Sequence, residues 1–525
     1  MKKNKIVFWA LLAAVPVFFT ITSCKKFLDR KPLTATLQDF NQGALEGQIL
    51  GLYTNLRNLA GFSTLPWIDF HSIRDDDAMK GSDRNDGAEI NAEFDTYQYA
   101  KDDWAPNEYW NNHYTMINLA NNAVATADSL KLSDEASLRN VGEACFFRAY
   151  AYFELVKTYG DVPLINFKIT NPTQSIQPKS PAAAIYAFID SNLQVASALL
   201  PLKSTDYGEG YTGRLTKGAA NTLWAQTYLF RNDWANVVAR CNEVISSGQY
   251  ALLPEFSDIW RDAGENGPES IFEMQAFVGA GAASKSAVDY GSDWGTSQQV
   301  RQNGAPIQWN LGWGWNTPTD KLVSEWPDDD PRKAKTILYS GESDGGAALG
   351  GFGATLPPYT NPDGNGGLAR KYWNKKLYTG NDPSLRASTG YINNNGAARW
   401  INHRILRYAD VILMLAEASN EIGDGPTAEA NLELIRARAA GDSGKTRTKV
   451  PFIPFKDQAQ MRQAIKDERR WEFAMEGYRF YDLVRWGDAV NVLGPLGYTN
   501  RARFYPIPQK AIDLSGGVLT QNPEW

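Results

Sequence analysis

The stretch Val141-Gly-Glu-Ala-Cys-Phe-Phe-Arg-Ala-Tyr-Ala-Tyr-Phe-Glu-Leu-Val156 determines the fold class of this 525-residue chain. Its alanines and aromatic residues recur at intervals of three and four, the period of a helix that packs closely against another helix. Tyr159-Gly-Asp-Val-Pro163 follows, and its glycine and proline end the helix. The stretch therefore predicts a buried helix inside a helical protein.

Two other regions have the same combination of small and aromatic residues, and each is predicted to form a helical hairpin. Residues 216–245 turn at Asn232-Asp233, and residues 405–435 turn at Gly423-Asp-Gly-Pro426. Small residues let the two arms approach while aromatic rings fill the neighbouring groove, as in tetratricopeptide units of about 34 residues. The sequence predicts about four helical pairs in all, the others being Asn107–Leu130 with Glu135–Tyr159 and Met461–Phe473 with Tyr478–Val484.

The region between the hairpins has a different composition. Residues 279–367 contain 16 of the 44 glycines, many Trp, Asn and Asp residues, and little periodicity. Loops this long inside a compact protein are usually either functional or disordered, and the tryptophans argue against disorder. The predicted fold is thus mainly α, with tetratricopeptide-like pairs supporting an irregular loop-rich region with few short strands. We expect a single body over residues 24–525, with a helical frame at about 40–275 and 400–490 and a loop-rich aromatic insertion at about 279–400.

The N-terminus has the pattern of an export signal. Three lysines precede the apolar run of residues 6–21, which leads to Thr20-Ile-Thr-Ser-Cys24. The run is shorter than the roughly 20 residues of a membrane span, so a multispanning transporter or channel is excluded. The small residues before Cys24 resemble a bacterial lipobox, which predicts a lipoprotein signal peptide at residues 1–23 and lipidation of Cys24. An ordinary signal beside a chance cysteine is the alternative.

Charge and cysteine content restrict the function further. The chain has 53 Lys+Arg and 59 Asp+Glu; loss of Lys2, Lys3 and Lys5 with the signal leaves 50 basic residues and a mature charge of −9. An acidic chain without a basic run is a poor nucleic-acid binder. Cys145 and Cys241, both in apolar helical patterns, are predicted to be buried free thiols and not a disulfide.

Signatures of catalysis are weak. The three histidines, His71, His113 and His403, are far apart and form no metal motif. Gly341-Glu-Ser-Asp-Gly345 matches a nucleophile elbow but is followed by glycines and not by a helix, so we predict a polar turn. Asp363-Gly-Asn-Gly366 resembles part of a calcium loop without its closing glutamate, and is also predicted to be a turn. No cofactor is predicted; a structural calcium ion is compatible with the sequence, but no motif indicates one.

Two aspartate clusters, Asp75–Asp77 and Asp328–Asp330, could serve a glycosidase or a binding site. Consecutive carboxylates do not face each other on a regular element, so binding is favoured over catalysis. For the second cluster, turn and ion-pair roles suffice.

Tryptophan is the strongest positive signal. A flat ring with a polar edge, presented from a loop, can stack on the apolar face of a sugar, although at least half of the loop tryptophans are expected only to hold the loops in place. The candidate ligand-binding residues are Trp67, Asp76, Trp104, Asn107, Trp309, Trp313, Trp315, Tyr372 and Trp373.

Several motifs resemble the SusD/RagB family of outer-membrane nutrient-binding lipoproteins. They begin with Cys24-Lys-Lys-Phe-Leu-Asp-Arg-Lys-Pro32 and include Arg148-Ala-Tyr-Ala-Tyr-Phe153 and Tyr408-Ala-Asp-Val-Ile-Leu-Met-Leu-Ala-Glu417. Glu468-Arg-Arg-Trp-Glu-Phe473 and Tyr505-Pro-Ile-Pro508 continue the resemblance in the family's order to the end of the chain.

The resemblance implies a non-catalytic protein, lipid-anchored at the outer membrane and facing the cell surface. It implies an oligosaccharide or polysaccharide ligand delivered to a SusC-like TonB-dependent transporter. A peptide or another nutrient as ligand, and a protein-interaction module without a ligand of its own, are the alternatives. Scaffold roles, as buried packing and ion-pair positions, are implied for Arg148, Tyr152, Glu468, Arg469, Trp471 and Asp482.

Overall fold

The computed structural model describes residues 45–57, 64–83, 85–203, 212–278, 289–302, 308–360, 367–381 and 399–525. The predicted signal peptide, Cys24 and the Asp363–Gly366 turn lie outside this part of the chain, so all three stay predictions. In the described residues, no helix combines the length and apolar character needed to cross a bilayer.

The fold is mainly helical, as the sequence predicts. The long helices are α1 (Leu45–Arg57), α2 (Trp104–Leu130), α3 (Glu135–Tyr159), α4 (Ala182–Leu199), α5 (Lys217–Leu229), α6 (Trp234–Ser246), α7 (Tyr408–Glu421), α8 (Gly425–Ala440), α9 (Gln458–Phe473) and α10 (Arg479–Trp486). Shorter helices include Leu65–Ile68, Ala88–Ile90, Asp293–Ser297, Asp320–Glu325, Pro331–Thr336, Ala489–Leu493 and Gln509–Leu514, and Asp69–Ile73 and Asn91–Asp95 are π-helical.

The strands are short and form two-stranded antiparallel ribbons. They are β1 (Ala78–Gly81), β2 (Val162–Pro163), β3 (Lys179–Ser180), β4 (Ser270–Met274), β5 (Phe277–Val278), β6 (Asp289–Tyr290), β7 (Trp315–Pro318), β8 (Ile337–Tyr339), β9 (Tyr372–Asn374) and β10 (His403–Arg407). The pairs are β1 with β7, β2 with β3, β4 with β10, β5 with β6 and β8 with β9.

The helices from α2 to α9 pack in sequence order, each against the next, and α1 lies on α2 and α3. Close packing follows from the small residues on α3: a Cβ at Gly142 would lie 3.2 Å from side-chain atoms of Leu199 and Leu200. Side-chain oxygens cap the N-termini, for example Asp134 with the amide of Ser137 at 3.0 Å, which satisfies an otherwise unpaired donor.

One predicted helix boundary differs from the structure. Residues 405–407 belong to β10, so the third hairpin begins at Tyr408. In the predicted pair Met461–Phe473 with Tyr478–Val484, α9 and α10 meet through the Arg469–Asp482 ion pair, while α9 packs mainly on α7 and α8 and α10 also contacts the π-helix Asp69–Ile73. Helix α4, which the sequence analysis did not predict, packs between α3 and α5.

A buried ionic network connects the helical frame to the loop-rich region. The carboxylate of Glu472 on α9 accepts hydrogen bonds from Arg407 at 2.7 Å, from Arg332 at 3.0 Å and from Arg438. The side chain of Glu472 is fully buried. Arg332 lies in the loop-rich region and Arg438 lies on α8, so the Glu472 carboxylate connects both segments to α9.

The implied scaffold residues lie where the resemblance places them. Glu468 pairs with Arg332 and Arg436, and Arg469 pairs with Asp410 and Asp482. Arg148 and Tyr152 are buried and hydrogen-bonded, and the half-buried Trp471 stacks on Trp326 with ring centroids 5.4 Å apart. Cys145 and Cys241 are buried free thiols, as predicted.

Candidate functional site

The candidate site lies where the N-terminal segment meets the loop-rich region. Strands β1 and β7 pair with Ala78 opposite Pro318 and Gly81 opposite Trp315. Gly81 has φ +81°, and a Cβ at this position would lie 2.3 Å from the carbonyl oxygen of Gly314. Glycine is therefore required for the two segments to approach this closely.

At the end of this ribbon, polar and aromatic side chains form what we call the loop patch: Asp83, Asp86, Arg301, Trp313 and Trp315. The Arg301 guanidinium donates to Asp86 Oδ2 at 2.7 Å and to Asp83 Oδ2 at 2.9 Å. These three side chains are 27%, 36% and 23% exposed, in the order Arg301, Asp86, Asp83. The patch is thus a solvent-accessible group of fixed charges beside indole rings.

Three donors converge on one carboxylate oxygen of Asp86. In addition to Arg301, Ser82 Oγ donates to Oδ2 at 2.6 Å and the Trp315 indole nitrogen donates at 3.3 Å. Burial raises the pKa of Asp86, but the Ser82 hydrogen bond and the charge of Arg301 outweigh that effect, and the pKa lies below its ordinary value. Asp86 is therefore ionised at neutral pH.

The two tryptophans of the patch differ in exposure. Trp315 is 6% exposed, and the Lys80 ammonium lies 5.4 Å from its ring centroid. Trp313 is half-buried against the main core, and its carbonyl oxygen lies 3.5 Å from the Arg301 guanidinium. Trp313 is therefore the more exposed of the two residues.

Other candidate residues occupy structural positions. Trp309 and Trp373 belong to the small core of the loop-rich region, and Trp373 is completely buried with its indole nitrogen donating to Ser340 at 3.0 Å. Trp67 is 6% exposed and stacks on His71 with ring centroids 4.1 Å apart. The three rings are therefore almost completely buried, and ligand binding by them stays a prediction.

Asp76 is also buried in ion pairs. Its carboxylate meets Arg479 at 2.9 Å and Lys321 at 2.7 Å. Burial raises the pKa of Asp76, but the hydrogen bond and charge of Arg479 dominate and lower it to about 2. Neighbouring Asp77 pairs with Arg470 at 2.6 Å. The first aspartate cluster therefore anchors the segment before β1 to α9 and α10.

Tyr372, Trp104 and Asn107 retain accessible surface. Tyr372 is half-buried on β9, with its ring edge-to-face against Tyr339. Trp104 is 44% exposed at the first turn of α2. Asn107 is half-buried, and its amide donates to the Asp103 carbonyl at 2.7 Å. Ligand binding by these three residues stays a prediction.

The fold brings the three histidines together, although they are far apart in sequence. His71 Nε2 lies 2.7 Å from Glu154 Oε2, which also accepts from the Tyr109 hydroxyl at 2.6 Å. His113 Nδ1 donates to the Tyr109 carbonyl, and His403 stacks on Trp294. No sequence motif indicates this cluster, because the three histidines and Glu154 come from four separate elements.

The three histidine side chains of the cluster are buried and neutral. Burial, aided by the charge of Lys157, lowers the pKa of His71 to about 4 despite the Glu154 carboxylate. Burial also lowers the pKa of His113 to about 4. A cavity of about 70 Å³ lies beside His71 and His403. The arrangement links α2, α3 and β10 inside the frame.

The remaining chemical candidates are structural. Residues 341–345 form a turn, as predicted, in which Asp344 accepts from the amides of Gly346, Phe352 and Gly353. Asp330 pairs with Arg332 and Asp328 with Lys333, which agrees with the predicted ion-pair role. Within the described residues, no group of three His, Cys, Asp or Glu side chains is placed to hold a metal ion.

The fold and the loop patch define a class of protein: a frame of tetratricopeptide-like helices that carries an aromatic and polar face on its loops. Residues 268–525 match the SusD family, and residues 26–229 match the family described as "Starch-binding associating with outer membrane". The chain belongs to the SusD-like family.

Two SusD-like relatives match the chain over nearly its full length. SusD-like protein P2 of Formosa agariphila is 26% identical over all of both chains. SusD-like protein P25 of the same organism is 24% identical over 99% of this chain and 98% of its own.

Solved structures share the fold. A "Laminarin binding SusD-like protein" superposes with a TM-score of 0.72 at 24% identity, covering 92% of this chain and 99% of its own. "Surface glycan-binding protein A from Bacteroides thetaiotaomicron in complex with laminarihexaose" gives a TM-score of 0.70 at 20% identity, with 91% and 99% coverage.

Proposed function

We propose that the protein is a non-catalytic glycan-binding lipoprotein of the outer-membrane surface that holds an oligosaccharide or polysaccharide on its loop patch. The observation that carries the proposal is the ionised, partly exposed Asp86 paired with the Arg301 guanidinium, which lies 3.5 Å from the carbonyl oxygen of the half-buried Trp313. Sugars offer hydroxyl groups on their rims and apolar C–H faces, and a protein binds them by combining fixed hydrogen-bonding groups with an aromatic ring.

Family membership supports the same function. The matched family description includes starch binding and association with the outer membrane. Of the two neighbours in fold, one is a laminarin-binding protein and the other is a complex with laminarihexaose. Rigidity of the patch is a further argument, since its carboxylates and guanidinium are already fixed by one another and lose little side-chain entropy on binding.

Delivery of the glycan to a SusC-like TonB-dependent transporter completes the proposal. Anchoring through a lipid on Cys24, at the cell-surface side of the outer membrane, would hold the protein next to such a partner. Metabolic labelling with a fatty acid, compared between the natural chain and Cys24→Ala, tests the anchor. Co-purification of a barrel protein with the labelled chain from outer membranes tests the partnership.

The binding proposal is tested by isothermal titration of the purified protein against a panel of polysaccharides and a panel of peptides. At least one polysaccharide is expected to bind. Binding of peptides alone would replace the glycan by a peptide ligand, and binding of neither would leave a protein-interaction role.

The Trp313→Ala variant tests the position of the site. Removing a stacking ring is expected to weaken glycan binding by about 1 kcal/mol, or roughly fivefold. Phe455→Ala is the matched control, because Phe455 is a 36% exposed aromatic residue just before α9. Equal affinities of the two variants would remove Trp313 from the site.

A further inference from the structure

We infer that the loop patch selects uncharged glycans and rejects sulfated or uronic-acid glycans. The inference rests on the proposed glycan-binding function and concerns the chemical class of the ligand. Its basis is that each described basic group at the patch is already bound to the protein, while a carboxylate remains accessible.

The basic member of the loop patch is Arg301, which is 27% exposed and paired with two carboxylates. Its two terminal nitrogens donate to two different carboxylates, Asp86 at 2.7 Å and Asp83 at 2.9 Å. A sulfate or uronate could pair with this guanidinium only by displacing one of these carboxylates, which are held by other donors as well. Asp83 Oδ1 accepts from the amides of Asn85 and Asp86, both at 3.0 Å.

The other two described cations face the protein backbone. The Lys80 side chain, from a residue 2% exposed, donates to the carbonyl oxygens of Asp83 and Asp86. The Arg370 guanidinium donates to the carbonyl oxygens of Gly81 at 2.8 Å and Ser82 at 2.9 Å. Both side chains thus bind backbone carbonyls of residues 81–86. Arg84 lies outside the described residues.

The accessible charge of the patch is negative. All three donors to Asp86 among the described residues reach Oδ2, so Oδ1 of this 36% exposed side chain is left to accept a ligand hydroxyl. A hydroxyl group can donate to it, whereas a sulfate or carboxylate has no proton to offer and is repelled. The predicted mature charge of −9 adds long-range repulsion of polyanions.

Matched pairs of polysaccharides test the inference with the purified full chain. Laminarin, starch and dextran are each compared with their sulfate esters, and alginate and polygalacturonate represent uronic acids. The neutral member of at least one pair is expected to bind at least about tenfold more tightly than its ester, because like charges at a binding site oppose association. Its affinity should change little between 50 and 500 mM NaCl.

A double variant of the loop patch is expected to gain affinity for a sulfated glycan. Asp83→Asn with Asp86→Asn releases the charge of Arg301, so affinity for the sulfate ester should rise at least about tenfold while the neutral glycan binds more weakly. Asp329→Asn with Asp513→Asn is the control, since both are exposed aspartates of similar charge effect. A gain of equal size in the control would show that net charge and not the patch decides.

The outcomes separate the two levels of the proposal. Binding of a sulfate ester or uronate by the natural chain, as tightly as or more tightly than any neutral glycan, overturns the inference alone. Absence of binding to every polysaccharide overturns the proposed function and the inference with it. Melting curves of the double variant confirm that it is folded before its affinities are compared.

Discussion

Replacement of Glu472 by glutamine is expected to destabilise the protein by about 3 kcal/mol. Glu472 lies on α9 with no exposed side-chain surface and receives Arg332, Arg407 and Arg438. Removing one partner of a buried ion pair typically costs about 3–5 kcal/mol, because uncompensated charge stays buried. We expect the lower end, since Arg332 keeps Asp330 and Glu468 and Arg407 keeps Glu269 and Glu476.

The assay is differential scanning calorimetry. An unfolding entropy of about 2.1 cal/mol/K per residue gives a chain of this size a total unfolding entropy of roughly 1 kcal/mol/K. Dividing the loss of about 3 kcal/mol by this entropy predicts a fall in Tm of about 3 °C. Glu325→Gln is the control: it also loses a carboxylate paired with an arginine, Arg470, but its side chain is 46% exposed. The control should change stability by less than about 1 kcal/mol.

The pH dependence provides a second check on the same residue. Burial raises the pKa of Glu472, but the charges of Arg438, Arg407 and Arg332 outweigh burial and hold the pKa well below its ordinary value. Stability from such a carboxylate is present above the unfolded pKa of about 4.3 and is lost as pH falls towards the folded value. The difference between natural chain and variant should therefore shrink below about pH 4. Equal Tm values for Glu472→Gln and Glu325→Gln at pH 7 would refute the reasoning.

Three further outcomes are expected. Asp69 is fully buried, and neither of its carboxyl oxygens has a hydrogen-bond partner in the described residues. Burial, and then nearby carboxylates, raise its pKa. The folded protein therefore loses stability as pH rises above about 4, the pKa of an unfolded aspartate, because ionisation of Asp69 is disfavoured in the folded state. Asp69→Asn should flatten the fall in Tm between pH 5 and 8, and an unchanged slope would contradict this assignment. Gly81→Ala should destabilise more than Gly423→Ala, because both residues have positive φ but only Gly81 faces a backbone atom at 2.3 Å; equal melting temperatures would argue against the clash. Cys145 and Cys241 should resist a thiol reagent until denaturant is added, and reaction of either in the native protein would show that it is not buried.

The helical frame could be predicted from sequence because its signal is local. Alanines and aromatics at three- and four-residue spacing on α3, α5 and α7 report directly which faces meet other helices. The prediction for α10 was incomplete for a physical reason: besides its Arg469–Asp482 ion pair with α9, α10 packs on the π-helix of residues 69–73, about 400 positions away. Local periodicity identifies a helix but does not identify its partner.

The candidate site was less accessible to prediction. Tryptophan content pointed to the loop-rich region, yet Trp309 and Trp373 fill its core, since a region with few strands and helices needs large rings to exclude water. The charged members of the patch, Asp83, Asp86 and Arg301, were missed because the two aspartates lie 218 and 215 positions from Arg301 and none of the three is in a motif. They meet beside the β1–β7 ribbon.

The same ribbon explains how a loop-rich region can present a rigid binding face. Asp76 and Asp77, just before β1, are buried in ion pairs with Arg479 and Arg470 of the frame, and the register of β1 against β7 then fixes Gly81 opposite Trp315. Arg301 completes the connection by pairing with the residues that follow β1. Each charge at the patch is therefore held by a chain of contacts that starts in buried helices. Since interactions in series transmit displacement, loosening the Arg470 pair should weaken ligand binding without any contact between Arg470 and the ligand.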